Sequence, residues 1–245
     1  MRRKHSRRIQ EMLTAYDDNM NDIGKYARSF IHYHGMWHKV VQCWIISADE
    51  DGVRVYLQRR SFEKKSHPGR YDITVGGHVA AGEEPLAAVL RETSEEIGLS
   101  LDPDRLICLD YVKEAVENDR EIAYLYIYVE KDPPFRPGKE VIYMVSADID
   151  DFYRLMTGER QEITVIPAIK TGPMHDEAFT VKMDNCCFHR NFLDVIYPYI
   201  KENMKNLSER TAEKTEKTEK TEKTEKSKKT GKTEKEKTKE KRKEE

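Results

Sequence analysis

One segment, residues 77–99, limits what this chain can fold into more than any other part of its 245 residues. Its second half predicts a helix over residues 86–97. Pro85 suits the first turn, where its missing N–H would have no partner, and Gly98 suits the end because it can adopt the left-handed conformation. A buried stripe recurs at three- and four-residue steps and consists of Leu86, Val89, Leu90, Thr93 and Ile97. The segment therefore predicts an amphipathic helix with one face in the core.

Strand patterns lie on both sides of this helix. The predicted strands are residues 12–16, 23–27, 37–47, 53–59, 71–75, 106–111, 122–129 and 141–145, and a second helix covers residues 188–204. The first two strands flank residues 17–21, whose Asp-Asp-Asn-Met-Asn sequence is typical of a turn, so they predict an N-terminal β-hairpin. This mixture of strands and few helices predicts an α/β or α+β fold in one domain over residues 10–207.

The two ends of the chain differ in composition from this domain. Residues 1–9 form a basic extension, and residues 208–245 repeat a Glu-Lys-Thr triplet with no aromatic or aliphatic residue after Ala212. A repeat of three drifts around a helix and gives no apolar face, so we expect a charged, low-complexity, disordered tail. A basic interaction arm is the alternative, but the charge signs alternate, which favours a solvated tail.

Charge and hydropathy exclude several classes of protein. The tail holds 15 basic and 11 acidic side chains, whereas the whole chain has 43 and 45, so residues 1–207 are acidic. An acidic domain argues against nucleic-acid binding through phosphate contacts. No apolar run approaches the roughly 18 residues of a membrane span, and no apolar segment follows the basic N-terminus as in a signal peptide. We therefore expect a cytoplasmic protein without membrane or specific nucleic-acid partners.

The four cysteines show no C-x-x-C spacing. This argues against both a disulfide scaffold and a structural zinc site.

Three carboxylates crowd one face of the predicted helix, because Glu95 and Glu96 follow Glu92 at three- and four-residue steps. Like charges at this spacing repel each other, and a bound cation explains why they occur together. Carboxylate oxygens at this density favour Mg²⁺ or Mn²⁺. The alternative is an exposed acidic helix face, which would be the simpler interpretation if the glutamates stood alone.

The whole segment resembles the Nudix box, G-x5-E-x7-R-E-U-x-E-E-x-G-U, in which U is a bulky apolar residue. The matching positions are Gly77, Glu83, Arg91, Glu92, Glu95, Glu96, Gly98 and Leu99. Thr93 is the one departure, and it lies on the core stripe rather than among the acids. The resemblance implies the Nudix fold, a mixed β-sheet sandwiched between helices.

Flanking residues resemble the Nudix branch that includes isopentenyl-diphosphate isomerase. Trp37-His38, the stretch over residues 59–69 and the Gly77-His78 pair carry this likeness. The isomerases place a catalytic cysteine just before the Gly-His pair, and this chain has Gly76 there. The resemblance therefore implies a hydrolase of the branch rather than an isomerase.

The resemblance also implies roles for individual residues. A Nudix hydrolase cleaves a diphosphate by attack of water on phosphorus with Mg²⁺ bound. The metal ligands would be Glu95 and Glu96, with the carbonyl of Gly77 and Glu92 completing the set; Arg91 would hold one of these glutamates by a bidentate pair. Glu83 would be an outer ligand or structural.

The general base is left open between a box glutamate, such as Glu92 or Glu95, and the later Glu140. Glu121 and Glu130 are interpreted as surface charge. Arg60 and Lys64 match positions that contact diphosphate, with a solvated loop as the alternative. His38 and His78 match metal-binding positions of the isomerase branch, although neutral core or substrate-facing histidines fit equally well. His175 and His189 have no supporting context.

Two other functions stay open at this point. One is an isopentenyl-diphosphate isomerase-like enzyme, and the other is a non-catalytic diphosphate-binding module, although such modules usually lose box acids that this chain keeps. The expected partner is a small-molecule diphosphate, and a homodimer is possible because the family often dimerises. The box does not identify the group attached to the diphosphate.

Overall fold

A computed structural model describes residues 10–116, 119–169 and 177–210 of the chain. Its strands are β1 (Met12–Tyr16), β2 (Asp22–Ala27), β3 (Trp37–Asp49), β4 (Gly52–Arg60), β5 (Tyr71–Asp72), β6 (Val75–His78), β7 (Ile107–Val116), β8 (Asp119–Val129), β9 (Val141–Asp148), β10 (Glu162–Pro167) and β11 (Phe179–Lys182). Its helices are α1 (Arg28–His34), α2 (Pro85–Ile97), α3 (Ile149–Met156) and α4 (residues 190–210), in which Phe192–Ile196 is π-helical.

The strands form one mixed sheet in the order β11-β10-β9-β4-β3-β1-β2. The long strand β8 runs parallel to β3, from the pair of Trp37 with Arg120 to the pair of Ile46 with Val129. The short strands β5 and β6 pair antiparallel with β4 and β3, and β7 pairs antiparallel with β8. The predictions of a mixed sheet and an N-terminal β1–β2 hairpin are confirmed.

Helices cover both faces of the sheet. On one face, Val41 and Cys43 of β3 share a core with Val89 of α2. On the other face, Trp44 of β3 packs with α3 and with Phe192 of α4. Because β3 is buried on both faces, its sequence is a nearly continuous apolar run rather than an alternating one. The predicted sandwich of sheet between helices is confirmed.

The predicted strand over residues 71–75 divides into two. Thr74 causes the break, because its hydroxyl donates to the carbonyl of Tyr56 on β4 and accepts from the N–H of Ile45 on β3. The chain therefore leaves β4 after Asp72 and pairs with β3 from Val75. This crossing delivers Gly76, Gly77 and His78 to the centre of the sheet beside α2.

Several elements were not predicted, namely α1, α3, β10 and β11. Helix α3 has a local signal, since the side chain of Asp148 accepts a hydrogen bond from the N–H of Asp151 at its N-terminus. Helix α4 begins at residue 190 rather than 188 and continues to residue 210, so residues 208–210 of the predicted tail are helical. The predicted extension over residues 1–9 and the tail from residue 211 onward lie outside the described residues. No helix within the described ranges has the length and apolar character needed to cross a membrane.

The loop before β9 closes over the end of α2 and thereby positions the site. Gly98 ends the helix with φ 68°, the N–H of Arg136 donates to the carbonyl of Ile97, and the N–H of Gly138 donates to the carbonyl of Glu96 at 2.7 Å. A side chain on Gly138 would place its Cβ 2.4 Å from the carbonyl oxygen of Glu95, so glycine is required for this close approach. Glu140 follows two residues later and is thus held near the acidic end of α2.

Candidate active site

Glu96 lies at the centre of the site and is 3% exposed. Its Oε2 accepts hydrogen bonds from Nε2 of Gln58 at 3.0 Å and from the N–H of Gly76 at 3.4 Å. Its Oε1 lies 3.5 Å from Nζ of Lys64. Burial raises the pKa of Glu96 to about 7, although Lys64 and Gln58 oppose the rise. Glu96 therefore exchanges its proton near neutral pH.

Glu92 lies one turn before Glu96 and packs directly on Gly77. A Cβ atom at Gly77 would sit 2.2 Å from Cδ of Glu92, so only glycine leaves room for this carboxylate. The side chain of Glu92 is 13% exposed. Burial raises its pKa, and the neighbouring Arg91 opposes that rise. The structure thus brings together Gly77, Glu92 and Glu96, three of the four predicted metal ligands.

Glu95 is separate from this pair. Its side chain is 63% exposed, and its Oε2 lies 3.5 Å from Nη1 of Arg91. The three glutamates therefore do not share one environment: Glu92 and Glu96 face the sheet, whereas Glu95 faces outward. Arg91 forms ion pairs with Glu92 and Glu95, and these reduce the repulsion between carboxylates that was expected from the sequence.

Arg91 makes its bidentate pair with Glu83, not with a glutamate of α2. Its Nε donates to Oε1 at 2.8 Å and its Nη2 to Oε2 at 2.9 Å. The same guanidinium donates to the carbonyl of His78 at 3.0 Å and to Oε1 of Glu92 at 2.7 Å. The expected bidentate pair with a metal-ligand glutamate is therefore wrong, although Arg91 does hold Glu92 by one bond. Arg91 ties the loop between β6 and α2 to the helix.

Lys64 joins the box to Glu140. Its ammonium group forms an ion pair with Oε2 of Glu140 as well as with Glu96. The N–H of Ser61 also donates to the carbonyl of Glu140 at 2.8 Å, so the loop after β4 lies against the start of β9. The side chain of Glu140 is 60% exposed. The structure thus places Lys64 and Glu140 beside the buried acid.

Arg60 is the last residue of β4, just before this loop, and contacts Asp72. Its Nη1 is 2.6 Å from Oδ2 of Asp72, and its Nη2 donates to the carbonyl and hydroxyl of Ser66 at 3.1 and 3.2 Å. The other carboxylate oxygen of Asp72 lies 2.6 Å from Nε2 of His189. Burial alone would raise the pKa of Asp72 and lower that of His189, but their attraction outweighs it and moves each pKa the opposite way. His189, which the sequence left without context, is part of this group; His175 lies outside the described residues.

A second cluster of possible metal ligands lies beside the box. One nitrogen from each of His32, His38 and His78 lies within 4.8 Å of the others, and so do ligand atoms of His38, Asp119 and Glu121. Nε2 of His38 is buried without a hydrogen-bond partner among the described residues. Imidazole and carboxylate donors of this kind suit Zn²⁺ or Mn²⁺.

The sequence indicated His38 and His78 in this cluster but missed His32, Asp119 and Glu121. Only the two-residue spacing of the acids at the start of β8 hinted that they share a face. Glu121 is half-buried and its carboxylate lies within 4.8 Å of ligand atoms of His38 and Asp119, so the interpretation of this residue as surface charge is wrong. Burial raises its pKa to about 7. The same interpretation is also wrong for Glu130, which is 7% exposed and lies 3.4 Å from Arg105.

The donors around Glu96 fit a hard divalent cation. Glu92 and Glu96 provide carboxylate oxygens, the ligand type that Mg²⁺ prefers, and Glu140 is close by. The ammonium of Lys64 lies between Glu96 and Glu140. The donor types therefore suit Mg²⁺, although among the described residues the box glutamates do not form a group of three ligand atoms within 4.8 Å of one another.

A family model described as the NUDIX domain matches residues 36–164, which is more than half of the chain. The protein therefore belongs to the Nudix family of hydrolases, whose members act on phosphorus-containing anhydrides.

Relatives carry two kinds of name. An uncharacterised Nudix hydrolase of Clostridium acetobutylicum is 29% identical over 154 residues, which cover 60% of this chain and 74% of that protein. An isopentenyl-diphosphate Delta-isomerase of Serratia proteamaculans is 28% identical over 160 residues, covering 64% of this chain and 87% of that protein. An uncharacterised Nudix hydrolase of Streptomyces coelicolor is 39% identical over 90 residues, but the match spans 48% of its length. The crystal structure of a MutT/nudix family protein from Enterococcus faecalis has a TM-score of 0.47 and 16% identity, covering 68% of this chain and 62% of that one.

Proposed function

We propose that this protein is a Mg²⁺-dependent hydrolase that cleaves the diphosphate linkage of an organic diphosphate, such as a nucleoside diphosphate derivative, by attack of water on phosphorus. The observation that carries the proposal is the convergence of Glu92 and Glu96 on Gly77 and Gly76, with the ammonium of Lys64 3.5 Å from Glu96. In this arrangement the carboxylates would hold a metal ion, and the neighbouring cationic side chains would bind phosphate oxygens.

The chemistry requires positive charge. A diphosphate carries several negative charges that repel an incoming hydroxide, and bound Mg²⁺ neutralises them and lowers the pKa of its water. Glu96, Glu92 and the carbonyl of Gly77 would hold the ion, and the exposed Glu95 would join them from the helix surface. Arg91 keeps Glu92 and the loop in place. Lys64 and Arg60 would bind phosphate oxygens, because both are cationic, Lys64 lies 3.5 Å from Glu96, and Arg60 ends the strand that leads into the same loop.

The proton of the attacking water needs an acceptor. We assign this role to Glu140, since its carboxylate is exposed and adjoins Glu96 through their shared contact with Lys64. Glu92 and Glu95 are the alternative bases, and the pH profiles of Glu140→Gln, Glu92→Gln and Glu95→Gln would distinguish the three. A general base must be deprotonated to act, so loss of the acidic limb of the profile in one variant alone would identify the base.

A panel of organic diphosphates tests the proposal. The protein is incubated with nucleoside diphosphate sugars, dinucleotides and prenyl diphosphates, with Mg²⁺ or with a chelator, and phosphorylated products are separated by anion exchange. We expect metal-dependent cleavage of at least one compound. Binding without cleavage would identify a non-catalytic module and contradict the proposal.

The second candidate is an isomerase of prenyl diphosphates. The cluster of His32, His38, His78, Asp119 and Glu121 favours it, as does the match to the Serratia enzyme. Against it, Gly76 offers no side chain to move a proton on the substrate. Deuterium exchange from solvent into isopentenyl diphosphate, followed by NMR, decides the matter, because an isomerase incorporates deuterium and a hydrolase of the diphosphate does not.

The remaining expectations concern the setting of the enzyme. We propose a cytoplasmic location, as expected from the sequence, and a homodimer, on the basis of the family resemblance. Fluorescence microscopy of a tagged chain and sedimentation equilibrium test these two points separately.

A further inference from the structure

His189 is a member of the site that neither its sequence context nor the box explains. It lies just before α4, and its Nε2 is fixed 2.6 Å from Oδ1 of Asp72. Its ring also meets Trp44 edge to face, with 6.0 Å between the ring centroids, so its orientation is set on two sides. Its Nδ1 makes no hydrogen bond within the described residues, and 20% of its side chain remains exposed.

The charges around Asp72 do not balance. Asp72 is one carboxylate with two cationic partners, since Oδ2 contacts Arg60 and Oδ1 contacts His189. The second amino group of Arg60 binds only the neutral oxygens of Ser66. Within the trio of Arg60, Asp72 and His189, positive charges therefore exceed negative charges by one when His189 is protonated.

The groups that face His189 favour its protonated form. Besides Asp72, the carboxylates of Glu114 and Glu121 raise its pKa, while burial lowers it. Glu114 is itself engaged by the amide of Asn191, which donates to it at 3.1 Å. Asp72 pairs with Gln58 across β4 and β5, and the amide of Gln58 donates to Oε2 of Glu96 at 3.0 Å, so one side chain links the trio to the acid proposed to hold the metal.

We propose that His189 is a further binding residue of the diphosphate site, whose imidazolium, held by Asp72 beside Arg60, donates its Nδ1–H to an anionic phosphate oxygen. Asp72 is then a positioning residue that orients two cationic donors with its two oxygens. The inference rests on the proposed function only in taking a diphosphate as the ligand. It adds a donor that comes from the C-terminal part of the chain, outside the box and its flanking loop.

Binding of methylenediphosphonate, a diphosphate that cannot be hydrolysed, tests the inference independently of turnover. Its Kd is measured by calorimetry with saturating Mg²⁺ for the parent protein, His189→Gln and the matched control His34→Gln. His34 is exposed on α1, outside the site. We expect His189→Gln to raise Kd about 10-fold or more, because a charge-assisted hydrogen bond is lost, and His34→Gln to leave Kd unchanged.

Two readouts separate binding from a structural role. The ratio of the Kd of His189→Gln to that of the parent should fall toward one as pH rises through the raised pKa of His189, and taking the ratio cancels the titration of the ligand. In the parent protein, NMR of the His189 ring should show its pKa rising when methylenediphosphonate binds. This second readout needs no variant, so it decides the question even if His189→Gln does not fold.

The outcomes distinguish this inference from the proposed function. If methylenediphosphonate binding depends on His189 but no diphosphate is cleaved, the binding residue stands and the hydrolase proposal fails. The role assigned to His189 is overturned if diphosphates are cleaved, His189→Gln has the Kd of the parent protein, and the pKa of His189 does not change when methylenediphosphonate binds. A lower melting temperature in His189→Gln with unchanged Kd would likewise show a purely structural contact.

Discussion

Arg91 and Glu83 are joined by two parallel hydrogen bonds, from Nε to Oε1 at 2.8 Å and from Nη2 to Oε2 at 2.9 Å. Glu83 also accepts the N–H of Ala80 at 2.9 Å. The pair therefore fastens the loop that carries Gly77 and His78 to helix α2. Attraction to Arg91 lowers the pKa of Glu83, so the pair stays charged at neutral pH.

Replacing Arg91 with lysine should loosen this loop, since an ammonium group cannot reproduce the planar fork. We expect a loss of about 1 to 3 kcal/mol in the free energy of unfolding and a lower kcat/KM, because Glu92 loses its partner as well. Urea denaturation of Arg91→Lys, Glu83→Gln and the double variant measures the coupling between the two residues. Arg154→Lys, which affects the exposed pair with Asp151, serves as the control and should cost about 0.5 kcal/mol or less. Additive effects of the two box variants would contradict the account.

The ion pair between Asp72 and His189 predicts how stability depends on pH. The pKa of His189 is raised from its usual 6.5, so its stabilisation is complete below pH 6.5 and is lost as the pH rises through the folded-state value. The pKa of Asp72 is lowered from its usual 3.8, so its stabilisation is present above pH 3.8 and is lost as the pH falls through the folded-state value. The pair should therefore stabilise the protein most between pH 3.8 and 6.5.

Asp72→Asn tests this window. Near pH 6 the variant should lose about 3 to 5 kcal/mol, because it leaves two cations, only 12% and 20% exposed, without their carboxylate. The difference from the parent should shrink at alkaline pH as His189 loses its charge in the parent. Asp194→Asn removes the exposed partner of Arg190 and provides a surface control with little effect at any pH. A difference between parent and Asp72→Asn that is constant from pH 6 to 10 would show that His189 does not contribute.

How much of this site could be predicted depends on how local its signals are. The sequence predicted α2 and the acids on it because Pro85, Gly98 and the apolar stripe all lie within one short segment. It did not predict the contact of Asp72 with His189, because 117 residues separate the two and neither has a distinctive neighbour. Long-range side-chain contacts of this kind follow from how β5 and the start of α4 meet in the fold.

The burial of the acids shows a second limit. Periodicity placed Glu92, Glu95 and Glu96 on one helix face, yet Glu96 is buried and Glu95 is exposed. The difference arises from the loop over residues 136–140 and from Gln58, which lie on other elements and cover only part of α2. A helical pattern gives the face on which a residue lies, but not what the rest of the chain places over it.

Proton competition at Glu96 predicts how metal affinity depends on pH. Burial raises its pKa to about 7, so below that value Mg²⁺ must displace a proton from this carboxylate. Affinity for Mg²⁺ should rise by about tenfold per pH unit below pH 7 and level off above it, as expected for one competing proton. Calorimetric titration with MgCl₂ at several pH values measures this slope. Glu96→Gln should bind weakly at every pH, and a parent affinity that does not change from pH 5.5 to 7 would rule out Glu96 as a ligand.

The C-terminal boundary of the domain can be tested with two truncations that differ by four residues. Ending the chain after Arg210 removes only charged, low-complexity sequence and should leave the melting temperature unchanged. Ending it after Asn206 also removes Leu207, which is 1% exposed, and should cost about 1.5 to 3 kcal/mol. Differential scanning calorimetry of both truncations gives the comparison. Destabilisation by the shorter deletion would mean that the tail packs on the domain.

Cleavage in ¹⁸O-labelled water tests the central claim most directly. The parent protein and Glu96→Gln are given the organic diphosphate that the panel identifies, with Mg²⁺, and the products are examined by mass spectrometry. We predict that the parent places one ¹⁸O atom on a phosphorylated product, and that Glu96→Gln remains folded but is slower by on the order of 100-fold or more. Products without label on phosphorus, or a Glu96→Gln variant that cleaves at the parent rate, would contradict metal-assisted attack of water at this site.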